Sequence, residues 1–110
     1  MGFYNMDRKS TLLSMLAEEP QDCFLHHALG MEYLGEGQHE FALASFRTAM
    51  TLESGYAPSA YQAAYLLFQK NLIPEALHCI QLGKQHAMAN GQIKMVKELD
   101  GLANQIEEET

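Results

Sequence analysis

Positive charge is scarce in this chain. Seven Lys and Arg stand against fourteen Asp and Glu, a formal net charge of −7. The cations are scattered, with no basic stripe to neutralise phosphates, so a nucleic-acid backbone is repelled. An anionic membrane surface is disfavoured for the same reason. Acidity of this size acts mainly on solubility. Long apolar runs are missing too: no segment reaches the ~18 residues of a membrane-spanning helix. Cysteine is limited to Cys23 and Cys79, whose spacing fits no metal-pair motif. Two buried, reduced thiols in an intracellular protein are expected. Met1–Met6 has neither the basic start nor the apolar segment of a secretory leader, and Met6 stands where a myristoylation signal wants Ser or Thr. The cytoplasm is the expected compartment.

Motifs that carry chemistry are also wanting. There is no phosphate-binding loop, nucleophile elbow or paired-carboxylate motif. The glycines of Leu34-Gly35-Glu36-Gly37-Gln38 are spaced like a fragment of a phosphate loop, but they join two helical segments and follow no strand. Cys23 and His27 are four apart and share a helix face, yet no third ligand stands at motif spacing. The five histidines read as surface or core-edge groups. No enzyme activity, metal or cofactor is expected.

Apolar material is plentiful, at 47% hydrophobic residues, enough for one globular domain. Its arrangement is regular. Between Leu34 and Met50, the small residues Ala42, Ser45 and Ala49 alternate with Phe41, Leu43, Phe46 and Met50. A shift of 34 residues places Leu29-Gly30 on Ala63-Ala64, Tyr33 on Leu67, Ala42 on Ala76, Phe46 on Ile80 and Ala49 on Gly83. Small side chains that recur at a fixed interval predict helix axes in close approach, with Phe46 or Ile80 filling the space beside them.

Leu29-Gly30-x-x-Tyr33, Ala42-x-x-x-Phe46 and Ala49 resemble the tetratricopeptide repeat, a helix-turn-helix unit of 34 residues. His26 stands where that motif often has Trp, and Ser54 where it often has Pro. The second unit lacks both the Leu-Gly pair and the Tyr. The resemblance implies an all-α fold: a right-handed stack of antiparallel helix hairpins with about six helices. Residues 23–56 form the first repeat and 57–90 the second. Residues 7–18 resemble the second half of a preceding repeat, with Leu12, Met15 and Pro20 placed 34 before Phe46, Ala49 and Ser54. Residues 91–108 carry Met95, Leu99, Leu102 and Ile106 on one stripe and read as a capping helix. Pro58 and Pro74 sit in first helical turns, Asn71 is expected to be an N-cap, and Ser54-Gly55 and Asn90-Gly91 are expected to end helices.

In tetratricopeptide proteins the first helix of each unit lines a concave groove. By position this implies Phe24, His27, Met31 and Leu34 from the first unit, and Tyr61, Tyr65, Phe68 and Gln69 from the second. Leu25, Leu29, Tyr33, Ala60, Ala63, Ala64 and Leu67 then face the core. The members that clamp a terminal carboxylate do so with fixed cations. Here the matching positions are His27, Met31, Gln62, Gln92 and Val96, so carboxylate clamping is not expected. The implied role is a non-catalytic protein-interaction module whose groove takes an apolar peptide or an amphipathic helix. The alternative is a self-associating protein, with the groove as a homo-oligomer interface or filled by its own Gly2-Phe3-Tyr4-Asn5-Met6. In that case Met95, Leu99 and Leu102 would close the groove's far end.

Overall fold

The computed structural model describes residues 7–110, so the expectation about the segment Gly2–Met6 lies outside the described residues. Among the described residues every element is an α-helix: α1 (Arg8–Glu18), α2 (Cys23–Gly35), α3 (His39–Leu52), α4 (Ala57–Gln69), α5 (Ile73–Ala89) and α6 (Ile93–Glu109). Two starts are fixed by aspartate caps. Asp7 accepts a bond from the Ser10 N–H, and Asp22 accepts one from the Leu25 N–H. The other four helices have no side-chain cap of this local kind. Pro58 and Pro74 occupy first turns of α4 and α5, as the sequence predicts.

Three connections are the same turn. Gly37, Asn71 and Gly91 each take a left-handed backbone, with φ of 75°, 62° and 67°. In each, the residue after the turn bonds back to the carbonyl five before it: Gln38 to Tyr33, Leu72 to Leu67, and Gln92 to Ala87, all at 2.8–2.9 Å. Gly37 and Asn71 stand 34 residues apart, so the sequence interval is also an interval of backbone shape. The expectation for Asn71 is corrected here: Leu72 is the N-cap residue, and Asn71 supplies the left-handed bend. Asparagine suits both roles, because its short polar side chain tolerates positive φ.

Consecutive helices pack on each other along the chain, and α4 also touches α6. The molecule measures 51 × 28 × 20 Å. Eight alanines are wholly buried, at positions 42, 49, 57, 60, 63, 64, 76 and 87. Such short side chains let the axes come together, and glycine goes further where methyls would collide. A Cβ on Gly30 would lie 2.6 Å from Phe46 Cε1, and one on Gly83 would lie 2.7 Å from the Ala60 Cβ. Gly55, at φ 73°, has the Leu82 carbonyl against it, so the α3–α4 turn rests directly on the α5 backbone. The stripe of small residues therefore has the packing role that its spacing predicts.

Two apolar clusters result. Leu12, Leu16, Leu25, Ala28 and Leu29 form one between α1 and α2. The larger cluster spans α3 to α6 around Phe46, Leu67, Leu99 and Ile106. Tyr33 packs against both. Four ion pairs join elements at the surface: Arg8–Glu32, Lys9–Glu36, Lys70–Glu40 and Lys84–Asp100. At such exposure, solvent and salt screen them and each adds little to stability. Among the described residues no helix is long and apolar enough to cross a membrane.

Candidate functional site

Helix α4 forms the floor of two adjoining hollows. The first, of about 430 Å³, lies among α2, α4 and α6 and is walled by His27, Met31, Tyr61, Gln62, Met95 and Leu102. The second, of about 290 Å³, continues toward the far end of α4 and is walled by Leu34, His39, Tyr61, Gln62, Tyr65 and Gln69. Tyr61 and Gln62 belong to both, so the two make one trough along α4. Its size is in the range of small ligand and peptide sites, about 300–1,000 Å³.

Six of the eight positions singled out for the groove line this trough: His27, Met31, Leu34, Tyr61, Tyr65 and Gln69. Phe24 is 63% exposed and lines neither hollow. Phe68 is half-buried and packed against the larger core cluster, so its ring supports the fold. Of the three α6 residues expected to close the groove, Met95 and Leu102 line the larger hollow, whereas Leu99 is fully buried and lines neither. Of the positions matched to a carboxylate clamp, His27, Met31 and Gln62 line the trough, whereas Gln92 and Val96 lie in a separate recess at the α5–α6 turn. Pro58, His39, Glu98 and Gln105 also line the trough and were not foreseen. Met95, Glu98, Leu102 and Gln105 follow one another at steps of three and four, so helical phase alone would have flagged them.

His27 is held in place from behind. Its Nδ1 lies 2.8 Å from the Ser59 hydroxyl, which is wholly buried and finds its partner there. Its ring leans on Phe46 at 5.5 Å and meets Tyr56 edge-on at 5.9 Å. Burial moves the His27 imidazole below the ordinary histidine range, because the charged form loses water. Tyr56 in turn meets the ring of His86 edge-on at 5.6 Å.

His86 forms a clasp. It is buried on α5, and its Nδ1 accepts the Ala57 N–H at 3.1 Å, capping the start of α4. The proton must then sit on Nε2, which donates to the Glu53 carboxylate at the end of α3. One side chain thus ties three helices, and a run of aromatic contacts leads from this clasp to the trough wall. Among the described residues no buried side-chain nitrogen or oxygen lacks a partner.

Of the two thiols expected to be buried, Cys79 is buried and Cys23 is half-buried. Cys23 Sγ points at the Ala49 carbonyl at 3.6 Å, and burial beside Glu53 and Asp22 pushes its pKa up to about 11. Burial also raises the Cys79 thiol. Among the described residues no three His, Cys, Asp or Glu side chains gather closely enough to hold an ion. A third hollow, of about 530 Å³, opens on the opposite face between α3 and α5, with Met50, Leu67, Pro74, Cys79 and Leu82 in its walls.

No family model, curated protein or solved structure matches the chain.

Proposed function

We propose that this chain is a tetratricopeptide-like interaction module, a right-handed stack of helix hairpins without catalytic activity. Its trough along α4 takes an apolar peptide or an amphipathic helix. The observation that carries this reading is the trough itself: Met31, Tyr61, Tyr65 and Leu34 line a recess open to solvent, next to a fully packed core. Met31 and Tyr65 are each 39% exposed. Tyrosine gives a ligand large contact area at small entropy cost, and methionine adapts to its shape. The intracellular, soluble setting belongs to the same proposal.

The test uses a displayed library of random peptides selected on the wild-type protein. Tyr65→Ala with Met31→Ala is expected to weaken the selected peptides at least about tenfold, the scale of losing two contact side chains, while circular dichroism stays unchanged. Phe68→Ala is unsuited to this purpose, because Phe68 packs on the core. Unchanged affinity in the double variant would refute the reading.

A second reading, self-association, is favoured by Phe24 and Phe41, which are 63% and 61% exposed outside the trough. It predicts a mass that rises with protein concentration and falls back in a Phe24→Ser, Phe41→Ser variant. A constant monomer mass in sedimentation would exclude it.

A further inference from the structure

We infer that the partner of the trough is a foreign apolar segment bearing a Lys or Arg, which meets Glu98 at the α6 end. This rests on the proposed peptide-binding role of the trough and adds the charge of the ligand and its direction.

Glu98 is exposed on α6 and lines the larger hollow. Among the described residues no Lys or Arg lines either hollow, and Glu98 is the only acidic side chain in them. His27, the nearest titratable group of α2 in the same hollow, is kept toward its neutral form by burial. Four of the seven cations are engaged with Glu32, Glu36, Glu40 and Asp100; Lys94, one turn before Glu98 on α6, and the adjacent Lys97 line neither hollow, and among the described residues neither is ion-paired with Glu98. The trough therefore has the carboxylate of Glu98 at its α6 end and a course of Tyr61, Gln62, Tyr65 and Gln69 leading toward His39. A ligand that buries Glu98 without an opposite charge loses its hydration for nothing.

Charge also selects among occupants. A second copy brings a net charge of −7, not the positive charge that Glu98 attracts. A basic, apolar peptide is attracted by the whole molecule and matched at one point. Gln62, Gln69 and Gln105 offer amides that can pair with its backbone.

The experiment selects random displayed peptides on the wild-type protein and on Glu98→Lys and Glu98→Gln variants. Wild-type selection is expected to enrich Lys or Arg at a fixed distance from apolar anchors. Glu98→Lys is expected to weaken those peptides by at least about fivefold at low salt, the upper end for an exposed pair, and to select Asp or Glu at the same position. Glu98→Gln should give the intermediate affinity, and added salt should shrink all three differences. Peptides without cation enrichment, or affinities within about twofold of wild type in Glu98→Lys, would overturn the inference. If Tyr65→Ala removes binding while both Glu98 variants bind normally, only the charge assignment fails. If no selected peptide depends on Tyr65, the trough reading fails with it.

Discussion

Gly30 lies flat against the ring of Phe46: a methyl on Gly30 would come within 2.6 Å of Cε1, 2.7 Å of Cδ1 and 2.9 Å of Cζ. Phe46 is wholly buried and cannot swing away. Gly30→Ala gains helix propensity of about 1 kcal/mol but overpacks at a cost of roughly 1–3 kcal/mol. A net loss of stability is expected. Gly101, also helical, has nothing within 4 Å of an added Cβ, so Gly101→Ala should stabilise by up to about 1 kcal/mol. Urea unfolding of the two variants should shift in opposite directions.

The clasp at His86 makes a second contrast. His86→Leu leaves the Ala57 N–H without its acceptor, which costs about 1–3 kcal/mol for a buried donor. Glu53→Gln keeps an amide oxygen that can accept from His86 Nε2–H and removes only the negative charge, on a side chain that is 53% exposed. The thermal midpoint should fall clearly in the first variant and little in the second. Equal falls would show that the carboxylate, and not the cap on α4, carries the clasp.

Acidification should loosen the fold through His27. Its folded pKa is depressed below the ordinary 6.5 by burial. Between the folded and unfolded values the unfolded chain binds more protons. The contribution is therefore complete above pH 6.5 and is lost as the pH falls through the folded value. His27→Gln should flatten this part of the stability–pH curve. An unaltered slope in the variant would place the acid sensitivity elsewhere.

Thiol chemistry should be slow in the native protein. With its pKa near 11, Cys23 holds almost no thiolate at pH 8, and the Cys79 thiol is raised as well. Alkylation by iodoacetamide is expected to lag far behind that of the urea-unfolded chain. Rapid native labelling at Cys23 would contradict the burial that raises its pKa.

The helices and the small-residue packing could be read from sequence because both follow local rules: apolar phase, proline in first turns, and glycine or alanine recurring at 34. Asn71 was misread because capping and left-handed turns favour the same residue. Phe68 shares a helical stripe with Tyr61 and Tyr65, but phase does not say how far neighbouring helices wrap around α4. The clasp had no local sign at all, since His86 and Glu53 are 33 residues apart. The hollow between α3 and α5 depends on the spacing of two helices that are not consecutive, a quantity no single segment encodes.

Among the described residues helix α1 packs on α2 through a small cluster, which Tyr33 links to the main one. Cooperativity in such an array is passed from neighbour to neighbour. Amide deuteration should then proceed as a gradient, fastest in Arg8–Glu18 and slowest around Leu67 and Leu99. The array would come apart like a zip drawn from α1, leaving the helices that bear Tyr61 and Glu98 standing after α1 has melted.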